Sequence, residues 1–412
     1  MYETLFRQKL NFIKESGNYR YFLEVNKSAR HFPQFYFTDD QGKKRGAINW
    51  CSNDYLSQST QEEVISKLSF VTHSSGAGSG GTRNISGTTN HHKELEKKLA
   101  QWHRKDAALL FNGAYAANVT TLQTIGRAIP ELIFISDERN HASLIEGMRA
   151  TNNTKLIFQH NDVAHLESIL NSIPVTTPRM VVLESVYSIK GSVAPLQKIA
   201  ALAKKYNALS YVDEVHAVGL YGKTGAGMLE ATGLQDAFDI INGTLSKSIG
   251  VYGGYITASA TIIDFVRSFG SGFIFTTSLP PAICAAAIKS ISLVEEDNEL
   301  RHRFHENVQL LRECLSLNAI PFQSNPSHIT SIHIGDASRC RQVANDLLLK
   351  HGIYLQPINS PTVSRGEECL RIIITSKHQL KHINHLAFAL KKILYPQTLS
   401  TVTSDYWTEY IK

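Results

Sequence analysis

The stretch INGTLSKSIGVYGGY, residues 241–255, places one lysine, Lys247, among apolar, hydroxylated and glycine residues. A surface helix would surround such a lysine with other charges, and a packed core excludes an unpaired ammonium because its desolvation is costly. The stretch begins within DIINGT (239–244), a short apolar run that is typical of a buried β-strand. We therefore expect Lys247 just beyond a strand end, where the molecule uses a lysine that can lose its proton.

Length and charge limit the kind of protein this can be. The 412 residues exceed what one small core needs, so two lobes are expected. The 42 basic and 36 acidic residues are spread along the chain and give a net charge of +6 with no basic block. This distribution does not indicate nucleic-acid binding, although a mild positive charge helps to attract a polyanion such as a coenzyme A ester.

Cysteine usage and hydropathy indicate the compartment. The five cysteines are scattered and show no CxxC or Cys/His spacing, which favours reduced thiols and no metal site. The N-terminal stretch is charged and lacks the apolar region of a signal peptide, and no stretch is long and apolar enough to cross a bilayer. We expect a cytoplasmic protein without a membrane partner.

Along the chain, short apolar runs alternate with helical patterns up to about residue 290. Examples are ELIFIS (131–136), RMVVLES (179–185) and ALSYVDE (208–214), each followed by a helical segment. This alternation predicts an α/β fold with a mostly parallel central sheet covered on both faces. After residue 290 a long amphipathic helical pattern is followed by short apolar runs, which predicts a smaller α+β domain. The expected organisation is an N-terminal segment 1–50, a large domain 51–290, a C-terminal domain 291–395 and a polar tail 396–412.

Ligands in such a sheet bind at the carboxyl ends of the strands, so the residues after each strand are candidate site residues. Gly113 and Ala114 begin the helix after AALLF and leave backbone N–H groups that can face an anion. The other strand ends carry a histidine or a titratable pair, namely His141, Asp213 with His216, and Thr244 with Lys247.

This set of residues fits pyridoxal 5′-phosphate (PLP). The cofactor needs a Schiff-base lysine, a carboxylate that keeps the pyridine nitrogen protonated, a phosphate site and a flat partner for its ring. Each residue alone has a plainer explanation: Asp213 as a helix cap, His141 as a core histidine, Lys247 as a loop lysine. Their order along successive strand ends favours the functional interpretation.

A glycine-rich run, GAGSGGTRNISG (76–87), resembles a dinucleotide fingerprint in spacing only. That fingerprint requires a strand before it and a helix directly after it, which this run lacks, so we reject a dinucleotide oxidoreductase. The glycines are expected to let the backbone approach a ligand or a partner chain closely.

Several longer motifs resemble the α-oxoamine synthase family, fold-type-I PLP-dependent transferases that condense an amino acid with an acyl-CoA. They are CSNDYL, GAGSGGTRNISGT, SDERNHASLIEG, HND, ESVYS, DEVHAVGLYG, GTLSKSIGVYGGY, SGFIFTTSLPP, NPSHI and GIYLQPINSPTVSRGEECLRI. The resemblance covers residues 1–395. Within the family, GTRNISGT, FIFTTSLPP, PINSPTV and GNYRYF favour the branch that joins glycine to succinyl-CoA.

The resemblance implies a role for each matching position. Lys247 is the Schiff-base lysine and general base, Asp213 pairs with the pyridinium nitrogen, and His141 stacks on the ring. The remaining cofactor contacts are Ser188 and His216 at the ring oxygen, and Thr244, Gly113, Ala114 and Tyr115 at the phosphate. Thr276 and Thr277 reach the phosphate of the neighbouring subunit, which implies a homodimer with shared active sites.

The substrate residues follow from the same resemblance. Asn53 and Arg371 bind the glycine carboxylate. Arg20, Thr82 and Asn84 bind the succinyl end, and Ser136, Lys155 and Thr362 lie near the thioester. A guanidinium suits a distal carboxylate because it binds it with two parallel hydrogen bonds. A loop around Pro361 to Glu368 is expected to close over the site.

Some positions depart from the family pattern. Ile189-Lys190-Gly191-Ser192 stands where the family usually has Met-Asp-Gly-Asp, and Val363-Ser364-Arg365-Gly366 where it has Val-Pro-Arg-Gly. A proline expected near Ser376–Lys377 is also missing. These changes leave open a different acyl-CoA, or an enzyme that feeds a specialised product. A non-catalytic subunit of the same fold is a further alternative, against which Lys247, Asp213 and His141 count.

Overall fold

The buried apolar runs become the strands of the structure, a computed structural model that describes residues 1–396. In chain order the strands are β1 (Asn26–Lys27), β2 (Gln34–Thr38), β3 (Lys44–Asn49), β4 (Ala107–Phe111), β5 (Ile133–Asp137), β6 (Lys155–Phe158), β7 (Arg179–Glu184), β8 (Leu209–Asp213), β9 (Ile240–Thr244), β10 (Gly254–Ala258), β11 (Thr330–His333), β12 (Ile353–Tyr354), β13 (Pro357–Ile358) and β14 (Cys369–Ile372).

The helices carry the amphipathic segments between these strands. They are α1 (Tyr2–Glu15), α2 (Glu62–Ser75), α3 (Asn90–Trp102), α4 (Ala114–Ala128), α5 (Ala142–Arg149), α6 (Val163–Ser172), α7 (Leu196–Lys205), α8 (Met228–Thr232), α9 (Ala260–Phe269), α10 (Ser271–Ile274), α11 (Pro281–Glu296), α12 (Glu299–Leu317), α13 (Ala337–His351) and α14 (Leu380–Leu394). None of these helices is long and apolar enough to span a membrane.

The chain forms two units. The larger unit comprises Asn53–Phe304 and Asn325–Ile329, and the smaller one comprises Met1–Ser52, His305–Ser324 and, of the described residues, 330–396. The domain limits expected at residues 50, 290 and 395 stay a prediction. From residue 397 onward, the expected polar tail lies outside the described residues.

The larger unit is built on a seven-stranded sheet in the order β4-β10-β9-β8-β7-β5-β6. The pairs from β9 through β8, β7 and β5 to β6 are all parallel. This confirms the predicted mostly parallel sheet. The sequence did not predict β10, which pairs antiparallel with both β4 and β9. Gly253, which precedes β10, and Gly254, its first residue, obscured the strand pattern.

Alternate residues of each strand face opposite sides of this sheet, and helices cover both sides. In β7, Val181 and Leu183 pack in a core with α6 and α7, while Met180 and Val182 pack in a second core with α4, α5 and α9. All four side chains are fully buried. Burial on both faces explains the near-continuous apolar runs of the sequence.

The smaller unit contains two sheets of its own, in the orders β1-β2-β3-β12 and β11-β14-β13. β2 and β3 pair antiparallel, and β12 pairs parallel with β3. In β2, Phe35 and Phe37 are buried while the alternate Tyr36 is exposed, as expected for a sheet with one solvated face.

Candidate active site

Three buried polar side chains stand in one row across the carboxyl ends of β7, β8 and β9. Strand register pairs Glu184 with Asp213 and Asp213 with Asn242. Each of the three is at most 5% exposed. Two buried carboxyl groups on neighbouring strands are costly to ionise together. Burial, and then the neighbouring Asp213, raise the pKa of Glu184 well above its ordinary value.

Asp213 is held by three donors. Its Oδ2 accepts from the side-chain amides of Asn118, at 2.7 Å, and Asn242, at 3.2 Å. Its Oδ1 accepts from the backbone N–H of Val215, at 2.8 Å. These three donors fix the position and orientation of the Asp213 carboxyl group at the edge of the sheet.

Lys247 begins a chain of polar contacts. Its Nζ lies 2.6 Å from His216 Nε2, and His216 Nδ1 lies 2.9 Å from the Tyr55 hydroxyl. The Tyr55 hydroxyl in turn donates to Asn53 Oδ1, at 3.3 Å. An ammonium can only donate, so His216 accepts at Nε2 and carries its own proton at Nδ1. This chain places Lys247, His216 and Asn53 in one connected group, three residues that the sequence nominated separately.

His141 caps α5 and keeps its ring exposed. Its Nδ1 accepts from the backbone N–H of Ser143, at 3.2 Å, and lies 2.8 Å from the Ser143 hydroxyl. Asn118 donates to that same hydroxyl, at 2.9 Å, which links His141 to the donors of Asp213. Desolvation lowers the pKa of His141, with the Lys247 ammonium acting in the same direction and Asp213 opposing it. The ring therefore favours the neutral form and fits a flat neighbour.

The N-terminus of α4 forms an anion cradle beside the end of β9. A Cβ on Gly254, which pairs with Thr244, would lie 2.1 Å from the backbone nitrogen of Ala114, so glycine is what allows this approach. A Cβ on Gly113 would meet nothing within 4 Å. The N–H groups at the start of α4, which have no partner within the helix, therefore lie close to Gly254, the strand partner of Thr244. The Thr244 hydroxyl lies 2.8 Å from that of Ser246. Tyr115, on the first turn, is exposed.

Ser188 lies half-buried in the turn after β7, where the sequence departs from the family pattern. In that turn Gly191 has a φ of +69°, and a Cβ there would lie 2.6 Å from the Ser327 hydroxyl. The Ser192 hydroxyl lies 2.7 Å from His160 Nε2, and His160 Nδ1 lies 2.9 Å from Asp137. Gly191 and Ser192 thus take part in a hydrogen-bonded turn that follows Ser188 directly.

The glycine-rich run is a loop that lies against the segment after α10. Thr82 and Thr277 form a β-bridge, and Thr82 donates to Asn84 at 2.7 Å. A Cβ on Gly87 would lie 2.2 Å from the carbonyl of Gly81, so this glycine allows a close approach within the chain, while the approach expected to a ligand or a partner chain stays a prediction. Thr276 is half-buried and Thr277 is exposed.

Two nominated residues make contacts of their own, separate from this group. Ser136 is buried in β5, donates to the carbonyl of Asp137 at 3.1 Å and accepts from Asn140 at 2.9 Å. The Lys155 ammonium donates to the carbonyls of Thr151 and Asn153, at 2.9 and 2.8 Å. Their predicted place near a thioester stays a prediction.

The smaller unit holds the other nominated substrate residues. Arg20 donates to the Thr362 hydroxyl at 3.3 Å, which joins two residues that lie 342 positions apart in the sequence. Both side chains are exposed. Arg371 is half-buried in β14, opposite Ser331 of β11. Here, too, folding brings together residues that the sequence could only name one at a time.

Sequence reasoning missed the residues that support these groups, namely Tyr55, Asn118, Glu184 and Asn242. One signal was available. Asn118 falls on the buried face of α4 with Ala117 and Leu122, and an amide at a core position needs hydrogen-bond partners. Glu184 and Asn242 gave no such signal, because strand register rather than sequence distance sets them beside Asp213.

The residues of the larger unit fit PLP. They provide an amine for covalent attachment at Lys247, a buried and fully bonded carboxylate at Asp213, an exposed imidazole at His141 and an anion cradle at the start of α4. Within residues 1–396, no group of three or more His, Cys, Asp or Glu is arranged to hold a metal ion.

Comparison with known proteins agrees with this geometry. The family model of class I and II aminotransferases matches residues 45–390. A 5-aminolevulinate synthase of Paracoccus denitrificans is 43% identical over 405 residues, which are 98% of this chain and 99% of its own. The mitochondrial 5-aminolevulinate synthase of Schizosaccharomyces pombe is 42% identical over 99% of this chain and 71% of its own. A further 5-aminolevulinate synthase, from Cereibacter sphaeroides, is 45% identical over 92% of this chain and 94% of its own.

Solved structures give the same fold. A serine palmitoyltransferase from S. paucimobilis with bound PLP–myriocin superposes with a TM-score of 0.85, at 28% identity, over 94% of this chain and 97% of that one. A serine palmitoyltransferase from Sphingomonas wittichii has a TM-score of 0.85, at 25% identity, over 95% of this chain and 96% of that one.

Proposed function

Since the chain belongs to the class I and II aminotransferase family and, within it, to the 5-aminolevulinate synthases, we propose how its residues join glycine to succinyl-CoA. The reaction consumes these two substrates and yields 5-aminolevulinate, coenzyme A and carbon dioxide, which supplies tetrapyrrole and haem synthesis. The observation that carries the assignment of residues is the convergence of Lys247, His216 and the bonded Asp213 at one edge of the sheet.

Lys247, Asp213 and His141 hold the cofactor in this proposal, with Ser188 and His216 at its ring oxygen and the N-terminus of α4 at its phosphate. When bound, PLP supplies a protonated pyridine ring that accepts the electron pair left on the α carbon of glycine. Asp213 would keep a proton on the ring nitrogen, since three donors hold its carboxyl group in one orientation. His141, which is exposed, would stack its ring against the pyridine.

Lys247 performs the proton transfers. Once glycine is bound through its carboxylate to Asn53 and Arg371, the free Lys247 amine removes the α proton. His216 accepts a hydrogen bond from the ammonium that results, at the 2.6 Å separation of Nζ and Nε2. The His216–Tyr55–Asn53 chain then connects the proton on Lys247 to the residue that orients glycine.

The acyl substrate is recognised at its two ends. Arg20, with Thr362 beside it and with Thr82 and Asn84, binds the distal carboxylate of succinyl-CoA. The α carbon of glycine forms a bond to the thioester carbon, and the carbon–sulfur bond breaks to release coenzyme A. The resulting β-keto acid then loses the former glycine carboxyl group as carbon dioxide. Ser136 and Lys155 are the remaining residues proposed near the thioester, and the loop Pro361 to Glu368 is proposed to exclude water.

The proposed assembly is a homodimer in which Thr276 and Thr277 complete the partner's phosphate site. Exposed apolar side chains near these threonines support it, since Phe275 is 79% exposed and Ile85 is 82% exposed. Five free cysteines support a reducing compartment, and we place the enzyme in the cytoplasm.

Borohydride labelling tests this assignment. The purified holoenzyme should be yellow, and reduction with borohydride should fix the cofactor on the peptide that contains Lys247. Lys204, exposed on α7, gives a matched control, since Lys204→Ala should keep the label and Lys247→Ala should lose it. A colourless protein that takes up no PLP, or a label that survives in Lys247→Ala, would refute the assignment.

A further inference from the structure

The smaller unit contains a cavity of about 610 Å³. It is lined by β2 and β3, by the end of α13 and by the start of α14. None of the residues assigned to PLP, glycine or succinyl-CoA lines it. Its volume is within the range of pockets that bind small molecules, about 300–1,000 Å³. We call it the basic cavity.

The lining of the basic cavity carries positive charge without matching negative charge. Five cations line it, and no aspartate or glutamate does. Arg45 is paired with Asp39, at 2.6 Å, and Lys350 with Asp346, at 3.0 Å. The other three cations, in contrast, have no carboxylate partner within the described part of the chain; they are Lys43, Lys44 and Lys381.

Two histidines of the cavity have lowered pKa values, chiefly because they are buried and also because positive charges lie nearby. Burial and then the neighbouring Lys381 ammonium lower the pKa of His382 to about 4. Burial also lowers the pKa of His351, and the positive charges of its neighbours add to that effect. Concentrated like charge of this kind attracts anions, and lysine is a common ligand for phosphate groups.

Aromatic groups stand beside the lysines. Tyr36 is 46% exposed on the solvated face of β2, and the Lys44 ammonium lies 4.7 Å from its ring centre. Trp50 is fully buried at the cavity, and its indole N–H has no hydrogen-bond partner within the described residues. A buried donor without a partner is costly.

We propose that the basic cavity binds a nucleoside triphosphate, with the phosphates on Lys43, Lys44 and Lys381 and the base against Tyr36. The three lysines converge on one cavity rather than forming a long stripe, which favours a small polyanion over a nucleic acid. This is a second ligand site, independent of the residues assigned to catalysis.

Calorimetric titration of the holoenzyme at about 0.15 M salt tests the proposal, because ionic strength near this value screens weak surface attraction. ATP, inorganic tripolyphosphate and adenosine serve as probes. The test protein replaces Lys43, Lys44 and Lys381 with Gln. The matched control makes the same substitution at three lysines that are exposed and outside the cavity, namely Lys67, Lys198 and Lys204. Tyr36→Leu tests the base contact.

ATP should bind the wild-type holoenzyme and the control at one site per chain, and the test protein at least about tenfold more weakly, since three charged contacts are lost. Tyr36→Leu should weaken ATP and leave tripolyphosphate unchanged. Turnover without ATP should be the same in all variants. No saturable ATP binding up to millimolar concentration, equal binding by test and control proteins, or displacement of ATP by coenzyme A at a single shared site would each overturn the proposal.

Discussion

Asn118 and Asp213 are 95 positions apart, yet the Asn118 amide donates to Asp213 Oδ2 at 2.7 Å. The same amide donates to Ser143, which contacts His141, and Asn118 Oδ1 accepts from Tyr211 and Asn242, each at 2.7 Å. Asn118 therefore orients the carboxylate and the imidazole proposed on two sides of the cofactor. It is a positioning residue, since it acts through Asp213 and His141.

Asn118→Ala should lower kcat by roughly 10- to 100-fold, because a hydrogen bond to a charged group contributes about 1.5–3 kcal/mol. Exchange of the glycine α proton in D₂O without succinyl-CoA should slow by the same factor, while the KM for succinyl-CoA stays unchanged. Asn153→Ala is the matched control, because Asn153 is also a buried amide but donates only to the carbonyls of Ile129, Pro130 and Leu132. If both variants slow proton exchange equally, Asn118 has only a structural role.

Glu214, next to Asp213, makes stability depend on pH. Burial raises the pKa of Glu214 from 4.5 to about 8, and its carboxyl accepts from the Met228 N–H at 2.6 Å. Between these pH values the folded chain keeps a proton that the unfolded chain releases. The contribution of Glu214 to the free energy of unfolding is thus fully present below pH 4.5 and is lost as the pH rises towards 8.

Glu214→Gln should remove this dependence. The unfolding free energy of the variant, measured by urea denaturation between pH 5 and 8, should fall less steeply with pH than that of the wild type. The difference in slope should approach one proton, about 1.4 kcal/mol per pH unit. Parallel curves for the two proteins would show that Glu214 is already ionised in the folded state.

Arg20 should decide the choice of acyl group. Arg20→Leu should lower kcat/KM for succinyl-CoA by roughly one to two orders of magnitude, because a charge-assisted contact is lost. Activity with butyryl-CoA, which lacks the distal carboxylate, should be equal or better, and the KM for glycine should change little. Arg30→Leu, at another exposed arginine of the same segment, should leave both acyl-CoAs unaffected. An equal loss with succinyl-CoA and butyryl-CoA would mean that Arg20 is structural.

Subunit mixing tests whether active sites are shared. Lys247→Ala and a Thr276→Ala/Thr277→Ala double variant should each be inactive or nearly so. In a heterodimer of the two, one site carries both defects and the other carries neither. Random 1:1 mixing should therefore restore up to about a quarter of wild-type activity. Recovery that fails despite demonstrated subunit exchange would place each site within one chain.

The sequence predicted best what depends on local pattern. The apolar runs located β4, β5, β8 and β9, and the residue types after them gave the anion cradle, His141, Asp213 and Lys247. The sequence did not predict contacts between residues that only the tertiary structure brings together. Nothing local places Tyr55 against His216, 161 positions away, or sets Glu184 beside Asp213, since helix packing and strand register create these contacts.

The same limit applies to Arg83, which stands in the motif GTRNISGT. The sequence analysis assigns no role to Arg83, which lies between the proposed succinyl residues Thr82 and Asn84. In the structure its guanidinium forms a two-pronged ion pair with Glu96, at 2.7 and 3.0 Å, and is buried. Its partner Glu96 lies on α3, the helix that follows Arg83 in the chain. Only the folded arrangement separates this structural arginine from Arg20, whose exposed guanidinium contacts Thr362.

The central claim is that this chain joins the α carbon of glycine to succinyl-CoA and releases the glycine carboxyl group. Mass spectrometry of the product formed from ¹³C-labelled glycine and succinyl-CoA tests it directly. Label at the glycine α carbon should appear in 5-aminolevulinate, and label at the glycine carboxyl carbon should appear only in carbon dioxide. A product that retains the carboxyl label, or a chain that makes a different aminoketone from another acyl-CoA more efficiently than 5-aminolevulinate, would contradict the claim.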